Sequence, residues 1–251
     1  MTGIEQDSSL RARVRTAVIW RSGSQIAAQI LVWCSTFVVI RLLDPSDYGL
    51  LAMTQVVTAF LMMLNGWSFA GALVRDGEIS EHRVRQVLGL LLIVNGLLAL
   101  IQFVAAPMVA AYYRHPTLAA MLHVQALLYL TIPFIAVPMA LRSREIDFRS
   151  QAKVYFFASI LSAAAQLAAA FAGFGVWTLV VGPMVLYISR AVGLAVATRW
   201  LVWPTLDLRG TGGVWRYGGV VILGDLLWFI YSESDIALGG RVLPAHEIGL
   251  Y

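Results

Sequence analysis

The chain has 251 residues, 59% of them hydrophobic and only 13% charged, against about 45–50% apolar and about 25% charged in an ordinary soluble domain. With a mean hydropathy of +0.77, its charges are too few to cover a water-soluble body of this size, which excludes a soluble enzyme, a disordered chain and a disulfide scaffold. The net charge is +4 at pH 7, and the single cysteine, Cys34, lies inside an apolar run and reads as packing filler.

A bilayer core of about 30 Å asks for about 20 apolar residues per helix. Seven runs meet that length: 18–40, 48–74, 87–113, 118–141, 154–173, 176–198 and 214–239. The first exceeds a signal-peptide core of about 7–15 residues and no A-x-A site follows it, so it reads as a retained span. The runs are continuous and lack the alternation of barrel strands about 10 residues long. The expectation is an all-α, polytopic transmembrane helical bundle of about seven spans. Pro107, Pro133, Pro138 and Pro183 fall within or near the ends of spans, where proline frees carbonyls and kinks helices. The Ala/Ser-rich stretch 162–170 reads as a close helix contact. Between two spans, 142–153 reads as a short cytoplasmic helix on anionic headgroups, with Glu145 and Arg149 spaced for an i,i+4 pair.

Basic residues are retained on the cytoplasmic side. With the N-terminus inside, all but Arg41, Arg114, Arg190 and Arg241 of the 18 basic residues fall on that side. Topology therefore accounts for the positive charge, and no nucleic-acid partner is implied. The chain also repeats itself. Arg41, Leu43, Asp47, Gly49 and Leu50 coincide in register with Arg241, Leu243, Glu247, Gly249 and Leu250, and Trp20-Arg21-Ser22-Gly23 is echoed by Trp215-Arg216-Tyr217-Gly218. Six spans separate the copies, so the second re-enters with the orientation of the first, as in parallel repeats about an axis along the membrane normal. The expected organisation is a cytoplasmic tail over 1–17, a six-helix N-terminal lobe over 18–208, and the start of a C-terminal lobe over 209–251. A complete protein of about twice one repeat unit is expected.

Several motifs, in this order and spacing, carry a family resemblance over nearly the whole chain. They are Arg41-Leu42-Leu43 with Asp47-Tyr48-Gly49; 111–116 (Ala-Tyr-Tyr-Arg-His-Pro); 141–149 (Leu-Arg-Ser-Arg-Glu-Ile-Asp-Phe-Arg); 175–180 (Gly-Val-Trp-Thr-Leu-Val); and Asp235 followed by Gly249-Leu250-Tyr251. The sequence resembles the bacterial polysaccharide flippases, the Wzx-type lipid-linked oligosaccharide exporters of the multidrug/oligosaccharidyl-lipid/polysaccharide exporter superfamily, in the branch associated with colanic acid. The resemblance implies movement of an undecaprenyl-pyrophosphate-linked sugar unit across the bacterial cytoplasmic (inner) membrane. Family members usually have twelve or more helices in two lobes, and this chain supplies the first lobe and the seventh helix.

Ionisable and amide groups at membrane depth are the default candidates for a translocation pathway. Asp225, about eleven residues into the seventh run, reads either as a cavity carboxylate that pairs with a cation or exchanges a proton, or as a structural partner of Arg190 or a helix-packing hydrogen bond. Arg190 either attracts the pyrophosphate of a lipid-linked substrate or snorkels to the headgroups. Arg21 allows the same cavity reading or an interface anchor, and Glu233 and Asp235 face either a lobe interface or water. Gln25 and Gln29, one turn apart on the first span, with Asn65 and Asn95, suit sugar recognition or interhelical bonding; His123 and Gln125 carry the same ambiguity.

Catalytic signatures are missing: no G-x-x-x-x-G-K-[ST], H-E-x-x-H, C-x-x-C or G-x-S-x-G occurs. The expectation is a non-enzymatic transporter of lipid-linked oligosaccharide working by alternating access. Rivals are a small-molecule exporter of the same superfamily and a membrane-embedded glycan-processing enzyme. No cofactor or metal is expected; a coupling ion, H+ or Na+, or the substrate gradient supplies the energy. Expected partners are the lipid-linked substrate, membrane lipids and the polysaccharide polymerase machinery.

Overall fold

The computed structural model describes residues 22–23, 25–75, 80–145, 147–198, 202–207, 223–224, 227 and 231. All regular structure among them is helical: α1 (Gln25–Leu42), α2 (Pro45–Met63), α3 (Trp67–Arg75), α4 (Glu81–Tyr113), α5 (Thr117–Arg144), α6 (Phe148–Phe171) and α7 (Trp177–Thr198). Five of these, α1, α4, α5, α6 and α7, are long and apolar enough to cross a membrane. Of the seventh run, only 223, 224, 227 and 231 are described, and each is helical.

The bundle is organised around α5, whose most apolar stretch is 61% buried, against 17% for α1 and 22% for α7. One core lies where Phe69 and Leu73 of α3 meet Val87 and Leu91 of α4 and Val137 of α5. A second joins Met53 of α2, Tyr113 of α4, Met121 of α5 and Val180 of α7. The outward faces stay oily: Phe37, Met108 and Val196 are each at least 70% exposed. Such a surface suits hydrocarbon, where apolar exposure carries no penalty and association relies on close packing and hydrogen bonds. At the 162–170 stretch that close packing is realised, with Ser162 Oγ donating to the Gly182 carbonyl of α7 at 2.7 Å.

The second apolar run is not one helix. It divides into α2 and α3 at 64–66 because Gly66 takes φ +72°, and a Cβ there would meet the Phe69 ring at 2.7 Å. The carbonyl of Asn65 leaves the helical ladder at this break, and the fully buried Asn95 of α4 donates Nδ2–H to it at 2.9 Å and to its own Leu91 carbonyl at 2.8 Å. A freed carbonyl at membrane depth has no water to turn to, so an amide from a neighbouring helix satisfies it. A second buried network ties α2, α4 and α5. Tyr129 Oη donates to Gln102 Oε1 at 2.8 Å, Gln102 Nε2 donates to the Leu122 carbonyl at 2.8 Å, and Thr58 Oγ1 donates to Gln125 Oε1 at 3.1 Å.

The segment 142–153 is likewise not a separate short helix. α5 continues through Arg144, Glu145 sits in a turn, and α6 begins at Phe148. That turn removes the helical register an i,i+4 pair needs, and Glu145 pairs instead with Arg142 at 3.0 Å. Asp147 caps α6, its Oδ1 accepting from the Ser150 N–H at 3.2 Å. Beyond α7, residues 202–207 cross the first turns of α4: Arg85 Nε donates to the Trp203 carbonyl at 2.9 Å, and Thr205 N–H donates to the Arg85 carbonyl at 3.2 Å. Glycine at 89 permits this crossing, because a Cβ there would run into the Thr205 backbone.

Replacing Asn95 with Leu removes its hydrogen bond to the Asn65 carbonyl and is expected to cost about 1–3 kcal/mol, read as a lower melting temperature of the purified protein in detergent. Ile93→Ala on the exposed face of the same helix is expected to leave the melting temperature nearly unchanged, since lipid or detergent fills the space. Equal melting shifts for the two variants would contradict this account.

Candidate functional site

Gln25 of α1, Met139 of α5, Phe148, Gln151 and Tyr155 of α6, and Arg190 and Leu194 of α7 enclose a cavity of about 220 Å³. It lies at the end of the bundle where Arg142, Arg144, Arg149 and Lys153 gather. Antiparallel α6 and α7 place residues near the start of one beside residues near the end of the other, so Arg190 comes to stand over Tyr155. The guanidinium carbon is 5.2 Å from that ring centroid, and Nη2 approaches the Met139 sulfur at 3.5 Å.

These are soft partners for a full positive charge. Arg190 makes no ion pair among the described residues, and its guanidinium carries more donors than a sulfur and a ring face can use. Gln151 is braced from behind, with Nε2 donating to the Met139 carbonyl and to Ser143 Oγ, both at 3.2 Å. The cavity therefore offers one cation with unused donors, two amides and a phenol, against an apolar wall of Met139, Phe148 and Leu194. Chemically it favours an anion carrying several acceptor oxygens. Among the described residues, no three of His, Cys, Asp or Glu come together as metal ligands.

Of the residues singled out in the sequence, Gln25 and Arg190 meet in this cavity. Gln29, one turn further along α1, is exposed and does not line it, while Asn65 and Asn95 sit together at the α2–α3 break. His123 stacks on Phe103 at 4.1 Å, and Gln125 belongs to the buried α2–α5 network. Arg21, Asp225, Glu233 and Asp235 lie outside the described residues. Gln151 and Tyr155 are lining residues that the sequence reading missed; their i,i+4 spacing at the edge of an apolar run was the available signal.

Two sequence motifs meet at the opposite end of the bundle. The Asp47 carboxylate, in the first turn of α2, accepts from the backbone N–H of Val176, which leads into α7. At the cavity end, Arg142 is the hub: its guanidinium reaches Glu145 at 3.0 Å, Asp147 at 3.4 Å and the Ala197 carbonyl near the end of α7 at 3.0 Å. The motifs at 47–49 with 175–180, and at 141–149, thus hold the two ends of α7.

Residues 38–251 match the family model described as "Polysaccharide biosynthesis protein". The chain is 20% identical over 245 residues to teichuronic acid biosynthesis protein TuaB of Bacillus subtilis, covering 97% of this chain and 51% of that protein. It is 26% identical over 217 residues to succinoglycan biosynthesis transport protein ExoT of Rhizobium meliloti, covering 85% and 43% respectively. A membrane protein in the cps region of Klebsiella pneumoniae is 20% identical over 246 residues, covering 97% of this chain and 51% of that protein. The chain spans about half the length of these curated relatives. No solved structure matches it.

The junction below the cavity has a defined pH response. Burial raises the Asp147 carboxyl, but the hydrogen bonds from Ser150 and the nearby Arg142 guanidinium outweigh it and hold the group below its ordinary 3.8. A depressed carboxylate stabilises the folded state above its unfolded value, and that contribution is lost as pH falls through the lower folded value. Hydrogen exchange at 147–150 is expected to quicken as pH drops below about 3.8, after correction for intrinsic rates. Asp147→Asn, which keeps a cap but not the ion pair, should flatten that dependence; an unchanged pH profile in this variant would contradict the assignment.

Proposed function

The chain belongs to the polysaccharide biosynthesis protein family of Wzx-like flippases, and we propose that it forms one lobe of a transporter that moves lipid-linked oligosaccharide across the bacterial cytoplasmic membrane by alternating access. The observation that carries this reading is the meeting of Arg190 and Gln25 in one cavity with Gln151 and Tyr155. A guanidinium with unused donors suits the pyrophosphate of a lipid-linked sugar, and amides with a phenol suit the sugar hydroxyls next to it. The lipid tail stays in the bilayer while the headgroup enters between two lobes, of which residues 18–208 are the first and 209–251 begin the second.

In this scheme the N-terminus is cytoplasmic and the Arg190 cavity opens on the cytoplasmic side, where the lipid-linked unit is made. Arg21 adds a second cation at the same edge. Asp225, with Glu233 and Asp235 further along the seventh run, supplies carboxylates that exchange H+ or Na+ as the lobes rock, and the released unit passes to the polymerase. Gln29 extends the amide face of α1 toward the second lobe, and Asn65 and Asn95 hold the broken helix that borders the path. The chemistry is relocation without bond cleavage, so the protein acts as a transporter and not as an enzyme. The positive lining argues against export of organic cations, which Arg190 would repel.

Deleting the full-length gene is expected to abolish surface polysaccharide and leave the lipid-linked unit on the inner leaflet. Complementation with Arg190→Gln should export about tenfold less or worse, because a charged hydrogen bond to phosphate is lost, while Arg190→Lys retains part of the activity. Asp225→Asn should impair export without reducing the amount of protein in the membrane. Normal surface polysaccharide in the deletion strain would refute the transport reading, and full export by Arg190→Gln would remove the cavity from it.

A further inference from the structure

Beside the Arg190 cavity, on the other side of the α6–α7 pair, lies an apolar groove of about 470 Å³, within the range of about 300–1,000 Å³ typical of small-molecule sites. Phe157 and Leu161 of α6 form one wall, Ile188 and Val192 of α7 the other, and Lys153 stands at the end nearest the basic cluster. The two helices touch closely on one line, since a Cβ at Gly193 would lie 2.8 Å from Val154 Cγ1, and the groove opens outward from that contact.

The wall residues are unusually open: Phe157 is 66% exposed, Leu161 54% and Val192 58%. Lys153 is exposed and makes no ion pair among the described residues. Arg149, one turn earlier on α6, is also exposed and adds to the positive field at this end.

Length identifies the occupant. From Lys153 to Leu161 the α6 wall runs about 12 Å at 1.5 Å per residue, close to the depth of one leaflet, about 15 Å. A transmembrane helix from a partner would need an apolar stripe of twice that length and would gain nothing from an ammonium at its edge. A molecule with one anionic head and a chain of one-leaflet length meets both features. We infer that the α6–α7 groove is a binding site for an anionic phospholipid of the leaflet on the basic side, its acyl chain between Phe157 and Val192 and its phosphate on Lys153. The inference rests on the membrane embedding and the groove alone, and it stands whether or not Arg190 handles a lipid-linked sugar.

Full-length protein, purified and equilibrated with equal amounts of phosphatidylglycerol and phosphatidylcholine, is examined by native mass spectrometry. Wild type is expected to retain phosphatidylglycerol preferentially. Lys153→Gln should reduce that preference about fivefold, the weight of one cation beside an anionic headgroup, and Lys153→Arg should preserve it. Ser189→Trp, which fills the groove from α7, should reduce retention of both lipids. Equal retention of the two lipids by wild type would overturn the inference, as would undiminished phosphatidylglycerol on both Lys153→Gln and Ser189→Trp. A retained polyprenyl phosphate in place of phospholipid, or a lipid-free dimer, would overturn it in favour of another occupant. Export by Lys153→Gln is expected to stay within about twofold of wild type, so this result and failure of the Arg190 reading are separable.

Discussion

A polar group buried in this bundle is stabilised by a partner inside the protein, because hydrocarbon supplies none. The break between α2 and α3 shows the consequence. Gly66 ends the helix, the Asn65 carbonyl falls out of the ladder, and Asn95 reaches across from α4 to take it up. The Tyr129–Gln102 and Thr58–Gln125 bonds do the same between α5 and its neighbours. Since lipid is as apolar as leucine, these few bonds and the close packing of small side chains give the helices a specific arrangement that oiliness alone would not.

The same constraint makes the end of the bundle around Arg142 distinctive. Three carboxylate or carbonyl acceptors converge on Arg142, Asp147 caps α6, and the 202–207 segment is tied across α4 through Arg85 and Gly89. This end is braced by charge-assisted and backbone hydrogen bonds. Within that frame, Arg190 approaches the Met139 sulfur and the Tyr155 ring face and makes no ion pair among the described residues. A polar frame whose groups are paired, next to a cation with donors to spare, is the contrast on which the proposed binding role of Arg190 rests.

The α6–α7 pair separates two environments. On one side its residues face the cavity with Gln25 and Arg190, and on the other they face an oily groove headed by Lys153, with Val154 at the boundary of both. A pair of helices with unlike faces thus carries a polar surface and an apolar one in close proximity, without a large enclosed chamber.

Composition and run length were enough to point to a polytopic helical membrane protein, and the ordered motifs were enough to suggest its family. Those properties follow from local sequence: hydrophobic length sets a span, and proline positions survive as helix-internal residues in α4, α5 and α7. Arg190 and Gln25 could be named one by one because a polar residue in an apolar run stands out. The recruitment of Gln151 and Tyr155 to the same cavity as Arg190 depended on the antiparallel packing of α6 on α7, and no spacing along the chain encodes that residues 25 and 190 line one cavity. Asn65 and Asn95 looked like the same kind of residue as Gln25, yet tertiary structure gave them the separate task of closing a broken helix. The end of α5 at Arg144 with the Asp147 cap of α6, and the break at 64–66, escaped the hydropathy pattern for one reason: each depends on a few backbone angles and caps, while the average over 20 residues stays apolar.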